Sequence, residues 1–251
     1  MARIGNLKNI IRLMLLIVAV TSCHPRDPEF AVIKGELSNG ARVKLVLSEL
    51  GTKDLRPVDS AMTDDAGRFS FTIKPAEAGF YMLRDSTGKV MVMQLGKGDT
   101  LILSGDFSDF PDRILLHGSE DAEALHAFFT ITHVHEKQVD SLELLLAERQ
   151  DSSGYYALTQ SLDTVFSGIW NRQRDLETRF ILAHPGSLAS LIVLNYSFGM
   201  NPVLSPAEDT ALYQLLDSTL MQAYPENSHV LFHHRRILEF RRQQEVKRLK
   251  N

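Results

Sequence analysis

One thiol, nine imidazoles and a scatter of carboxylates are what these 251 residues offer for chemistry. The thiol says most. Cys23 is the only cysteine, and Val20-Thr21-Ser22 places small residues directly before it. Upstream lie a short apolar run, Leu13 to Val20, and a basic, acid-free start carrying Arg3, Lys8 and Arg12. That pattern reads as a secretory signal ending in a lipobox. The apolar run is too short to cross a hydrocarbon core of roughly 30 Å as a permanent helix. Residues 1–22 are therefore expected to be a cleaved lipoprotein signal peptide. Cleavage makes Cys23 the first residue, its thiol the place to attach lipid such as palmitate. A single acyl chain binds a membrane only reversibly, so a stable anchor requires more than one. With Cys23 committed to lipid, no disulfide, CxxC pair or cysteine zinc cluster can form.

The remaining candidate chemistry is incomplete. His135-Glu136 begins like a zinc-protease helix, but Val139 occupies the position where the second histidine would complete the metal face. His126 and His133, seven apart, can share a helical face, whereas His133 and His135 point away from each other. His233 and His234 are adjacent, lack chelate geometry on a helix, and are read as surface. Gly96-Lys97-Gly98-Asp99-Thr100 opens no helix and lacks the phosphate-loop order, so a tight hairpin is expected there. Asp64-Asp65-Ala66-Gly67 is read as a turn, because nothing supplies the later ligands or the closing glutamate of a calcium loop. There is no Gly-x-Ser-x-Gly elbow. No catalytic, cofactor-binding or metal-binding residue is assigned; the one site residue is Cys23, for lipidation.

Two further patterns concern surfaces. The last helical segment carries Arg235, Arg236, Arg241, Arg242, Lys247, Arg248 and Lys250 against Glu239 and Glu245, read as a solvated face with cations at its C-terminus. Asp59-Ser60-Ala61, Asp99-Thr100-Leu101, Asp140-Ser141-Leu142, Asp163-Thr164-Val165 and Asp209-Thr210-Ala211 repeat an Asp-Ser/Thr-apolar triplet that resembles an O-glycosylation acceptor. The same triplets serve as ordinary turns and caps.

The composition is that of a folding protein: 44% hydrophobic and 23% charged residues are ordinary globular values. A net charge of −4 argues against a nucleic-acid partner, which would need excess Lys and Arg to neutralise phosphates. Residues 23–29 are polar and twice interrupted by proline, which suits a short tether. From Phe30 to Gly118 the apolar period is two. Val43, Leu45 and Leu47 alternate with polar neighbours, as do Phe69, Phe71 and Ile73. Turn signals separate about eight short strands, predicting an N-terminal antiparallel β-sandwich or open barrel over 30–118.

At Ser119 the period changes to that of a helix, with Ser119 as N-cap and an acidic first turn from Glu120 to Glu123. Helices are predicted over Glu120–Arg149 and Tyr155–Ala183, the second with a stripe of Leu158, Leu162, Val165, Ile169, Leu176 and Phe180. Further helices are predicted over Leu188–Tyr196, Pro206–Ala223 and Ser228–Lys250. Residues 119–251 thus read as an all-α helical bundle, and the chain as α+β.

These residues resemble a known family. Phe30, Val32 and Gly35, then Val58-Asp59-Ser60-Ala61 with Asp64, Asp65, Gly67, Phe69 and Phe71, then Gly79-Phe80-Tyr81 and Gly98-Asp99-Thr100, are similar to the uncharacterised β-domain of Gram-negative lipoproteins. In that family the β-domain commonly precedes a thioredoxin-like disulfide oxidoreductase domain of the TlpA type. Phe180-Ile181, His184-Pro185, Ser187, Ser190-Leu191 and Tyr224-Pro225 resemble the helical segment that leads into it. The resemblance implies a scaffold and an envelope location, with the anchor most simply on the outer membrane facing the periplasm. It brings no oxidoreductase residues, since Trp170 has no cysteine near it and exchange needs two sulfurs. The expected function is a non-catalytic, lipid-anchored binding or assembly module. The alternative is an accessory scaffold for thiol-disulfide exchange carried out by a separate thioredoxin-like protein. Expected partners are the membrane, through lipid on Cys23, and an envelope protein.

Overall fold

The computed structural model describes residues 28–150 and 154–250, so Cys23, the signal segment and most of the tether lie outside the described residues. Eight strands come first: β1 (Ala31–Ser38), β2 (Lys44–Leu50), β3 (Leu55–Met62), β4 (Arg68–Ile73), β5 (Gly79–Asp85), β6 (Val90–Leu95), β7 (Thr100–Asp106) and β8 (Leu115–His117). They form two open four-stranded sheets, ordered β4-β1-β7-β8 and β3-β2-β5-β6, and no closed barrel. The period-two pattern decides which side chains meet between the sheets. On β4, Phe69, Phe71 and Ile73 are buried while Arg68, Ser70 and Thr72 face water. Ile33, Leu37, Leu45, Leu47, Leu83, Met93, Leu101 and Leu103 complete a dry core with them.

Two glycines are fixed by close approach. At Gly35 in β1 a Cβ would come within 2.7 Å of the Phe69 ring, so the ring lies across a position only glycine leaves open. Gly67 closes the β3–β4 turn at φ +75°, where a Cβ would lie 1.9 Å from the Leu37 carbonyl oxygen. In that turn the Asp64 carboxylate accepts from the backbone N–H of Ala66 and of Arg68, both at 2.9 Å. The backbone and side-chain hydrogen bonds from Arg68 hold the carboxyl below the usual range.

The expectation of antiparallel pairing throughout is corrected at one place. β1 and β7 run parallel, Val32 opposite Thr100 through Ser38 opposite Asp106. The reason lies in Gly96–Asp99, expected as a hairpin. β6 is the edge of one sheet and β7 belongs to the other, so this turn carries the chain across the sandwich instead of pairing its flanks. Asp99 braces it by accepting from the Gly96 N–H at 2.6 Å.

The helical region follows at the expected boundary. Ser119 caps α1 (Glu120–Arg149) by accepting from the Ala122 N–H at 3.3 Å, and Glu123 reaches back to the Gly118 N–H at 2.8 Å. α2 (Tyr155–Ala183) packs against α1, followed by α3 (Ala189–Leu194), α4 (Thr210–Ala223) and α5 (Ser228–Lys250). Two bounds differ from expectation. The segment after α3 turns into a small hairpin, β9 (Ser197–Phe198) with β10 (Asn201–Pro202). α4 starts at Thr210, not Pro206, because Asp209 is committed elsewhere: its carboxylate accepts from the Ser205 N–H at 2.9 Å and pairs with the Arg174 guanidinium. Among the described residues no helix is long and apolar enough to cross a membrane.

The two regions share a seam. Because side chains alternate along β5, Tyr81 and Leu83 enter the sandwich core while Phe80 turns outward into the helical core beside Leu191 and Val230. Asn227 pins α5 to the sandwich: its Nδ2 donates to the Ala78 carbonyl at 2.7 Å, and its Oδ1 accepts from the His229 N–H at 3.1 Å, capping the helix. Gln94 on β6 donates to Asp121 on α1 at 3.0 Å.

Candidate functional site

Of the histidines singled out in the sequence, His126 and His133 share a face of α1 and line one small cavity with Phe129 and Thr130, each with its own partner. The His126 Nε2 lies 2.6 Å from the Ile114 carbonyl oxygen, and the His133 Nδ1 lies 2.7 Å from Asp112 Oδ1. His135, on another face of α1, is buried and bonds Gln173 Oε1 from its Nδ1 at 2.7 Å. Among the described residues no three His, Cys, Asp or Glu side chains converge as a metal site would require. Cys23 lies outside the described residues.

His233-His234, read as surface, is corrected by the fold. His233 is only 5% exposed because Val230, His233 and Ile237 recur on the buried face of α5. Its neighbour, turned a further 100° or so around the helix, meets α4 instead: the His234 Nδ1 lies 2.9 Å from Asp217 Oδ1.

His233 lines a cleft of about 420 Å³ between the sandwich and the helices. The end of β2 supplies Leu50, with Gly51 and Thr52 beyond it; β5 supplies Phe80; α3 supplies Leu191 and Ile192; α5 supplies His229, Phe232, His233 and Arg236. A cleft of this size at a domain junction, apolar with a few converging polar groups, suits a small molecule. No Asp or Glu lines it.

The polar groups are individually fixed. The His229 ring is turned to the Leu50 carbonyl and packs edge-on to Phe80 at 5.0 Å, tying helix to sheet. Burial lowers its pKa, and that of His233, below the usual histidine value. The His233 ring is turned to the Tyr213 carbonyl, while its Nε2 is buried without a partner. The Tyr213 carbonyl favours the tautomer with the proton on Nδ1, in which the Nε2 presents a lone pair. Arg236 donates from Nη1 to Asn195 Oδ1 at 3.1 Å, with its guanidinium 5.9 Å from the centre of the Phe232 ring. A second cavity of about 180 Å³ lies beyond, sharing His233 and Arg236 as its wall.

A second polar cluster lies inside the helical region. The α2 stripe of Ile169 and Phe180 continues through Gln173 and Glu177, both fully buried, whereas Val165 is 49% exposed. Gln173 Nε2 donates to Thr132 Oγ1 at 3.1 Å and to Glu177 Oε1 at 3.0 Å, while Glu177 Oε2 has no partner. Desolvation pushes the Glu177 carboxyl up to about 8. Tyr196 donates to Glu136 Oε1 at 2.7 Å, and burial with that carboxylate raises its phenol pKa.

Sequence reasoning passed over His229, Arg236, Gln173 and Glu177 as site residues. The gap in the α2 stripe between Ile169 and Leu176 was the available signal for Gln173; nothing in the stripe pointed to Glu177. The cleft left none, because Leu50, Phe80, Leu191 and His229 come from segments far apart in the chain.

No family model matches the chain, and no curated protein sequence matches it. Among solved structures, sea bream transthyretin in complex with thyroxine is similar at 17% identity, over 36% of this chain and 96% of its own, with a TM-score of 0.27. Klebsiella pneumoniae 5-hydroxyisourate hydrolase is similar at 17% identity, over 36% of this chain and 99% of its own, with a TM-score of 0.24. An (S)-allantoin synthase is similar at 11% identity, over 38% and 45%, with a TM-score of 0.26.

Proposed function

We propose that this chain is a non-catalytic binding module of the Gram-negative cell envelope, held by lipid on Cys23 to the outer membrane facing the periplasm. Its ligand is taken in the cleft between the sandwich and α5. The cleft is the observation that carries the binding reading: apolar walls from Leu50, Phe80, Leu191, Ile192 and Phe232 surround Asn195, two imidazoles and one guanidinium. Its hydrogen-bonding groups are anchored on rigid strands and helices, which is what selective binding needs. The lipid anchor is supported by the lipobox around Cys23. The start of β1 at Ala31, only a short tether away, would keep the sandwich close to the headgroups.

The test uses the full chain, recovered from membranes and placed in phosphatidylcholine nanodiscs. Fractions of a small-molecule envelope extract should include one that raises its unfolding temperature, since a ligand at 100 times its Kd adds about 2.7 kcal/mol. The shift should disappear in Thr52→Trp, which narrows the mouth of the cleft. Protection that Thr52→Trp leaves intact, or none from any fraction, would contradict binding there. Turnover of a component would contradict the non-catalytic reading. Co-recovery of a thioredoxin-fold chain from the same membranes would favour the accessory role in disulfide exchange.

A further inference from the structure

We infer that the cleft selects an organic monoanion: a carboxylate on an apolar or aromatic body that also carries one hydrogen-bond donor. The inference deepens the binding reading above and rests on it. Arg236 supplies the charge. Among the described residues no carboxylate lies within ion-pairing distance of its guanidinium, whose named partner is the neutral Asn195 Oδ1. The nearby carboxylates are engaged elsewhere. Glu49 lies 3.4 Å from Arg56, Glu77 accepts from Ser228, Asp217 holds His234, and Glu239, which lines the cavity beyond, accepts from Gln243 at 3.4 Å. With no acid in the lining, a carboxylate entering the cleft meets an uncompensated cation, and guanidinium geometry suits a carboxylate.

The donor requirement comes from His233. With the proton on Nδ1, the tautomer that the Tyr213 carbonyl favours, the neutral ring's Nε2 can only accept. That acceptor is buried and unpartnered, in a side chain 5% exposed that lines the cleft. Leaving such an atom unmatched is costly, and a ligand N–H or O–H would satisfy it. Apolar Leu50, Phe80, Leu191, Ile192 and Phe232 fix the rest of the molecule as hydrocarbon or ring. One guanidinium beside two uncharged imidazoles matches a single negative charge, which disfavours a polyphosphate.

Calorimetry on the full-length protein in phosphatidylcholine nanodiscs, referenced to empty nanodiscs, tests this with three probes. These are indole-3-propionate, its uncharged amide, and the 1-methyl acid, which lacks the N–H donor. The acid should bind at least tenfold more tightly than the amide. Arg236→Gln, at an exposed position, should abolish that preference while leaving the circular dichroism unchanged. The 1-methyl acid should bind several-fold more weakly than the parent. The charge comparison needs no variant, so it stands even where a substitution disturbs folding. Equal binding of acid and amide, indifference to Arg236→Gln, indifference to N-methylation, or binding of none of the probes overturns the inference. The binding reading fails on a separate result, the absence of any extract fraction whose protection Thr52→Trp removes.

Discussion

The two halves of this molecule bury different things. The sandwich interior is apolar but for one phenol: Ile33, Leu37, Leu47, Phe71, Met93 and Leu103 fill it, and burial pushes the Tyr81 hydroxyl among them up to about 12. The α1–α2 seam buries Thr132, His135, Gln173 and Glu177 in a hydrogen-bonded ladder whose last carboxylate oxygen has no partner. The first arrangement is held mainly by apolar packing and should be indifferent to pH until the Tyr81 phenol titrates near 12. The second depends on protonation. The difference teaches that the sandwich is the rigid platform, while the helical region and the cleft against it carry the groups whose charge can change.

The largest expected loss of stability comes from breaking the platform. Phe71, 1% exposed between the sheets, should lose about 3–5 kcal/mol as Phe71→Ala in urea unfolding. The loss should be the same at pH 5 and pH 8. A pH-dependent loss would mean that the sandwich core is coupled to titrating groups. Next comes the buried ion pair of the helical region. Arg174 forks onto Asp209 and also donates to the Val203 carbonyl at 3.1 Å. Arg174→Ala leaves a carboxylate 8% exposed without its cation and should cost about 3 kcal/mol in the same measurement.

Glu177 sharpens the comparison through pH. Burial raises its carboxyl from 4.5 to about 8 in the folded state. Between those values the native state keeps a proton that the unfolded chain releases, so stability falls as pH rises. The contribution is fully present below pH 4.5 and is lost by the time the pH passes about 8. Glu177→Gln, neutral throughout, should remove a pH-dependent difference on the order of 5 kcal/mol across that window. The check is the difference between wild-type and variant stability profiles; parallel profiles would show that Glu177 keeps an ordinary pKa. The smallest effect is at the surface: Met200, 96% exposed at the β9–β10 turn, should change stability by less than about 0.5 kcal/mol as Met200→Ser.

The same contrast explains what could be read from the sequence. Period-two alternation over Arg68–Ile73 and the Ser119 cap are local signals, and both gave the strand and the helix start that the fold contains. Alternation says which face of a strand is inward, but not which strand lies beside it. Hence the parallel β1–β7 pair and the cross-sheet turn at Gly96–Asp99 were illegible. An apolar period is blind to polar residues used as core. Gln173 therefore interrupted a stripe that it and Glu177 in fact continue, and His233 passed for surface although it shares a face with Val230 and Ile237. The cleft required segments from Leu50 to Arg236 to be brought together, and only tertiary structure does that.

The most direct test of a lipid-anchored binding module is mass spectrometry of the full-length protein expressed in a Gram-negative host with labelled palmitate. The account predicts an N-terminus at Cys23 bearing more than one acyl chain, recovery with the outer membrane, and release of a small organic molecule from wild type but not from Arg236→Gln. An N-terminus that still carries residues 1–22, an unmodified Cys23, or a Cys23→Ser variant that stays with the outer membrane would contradict it.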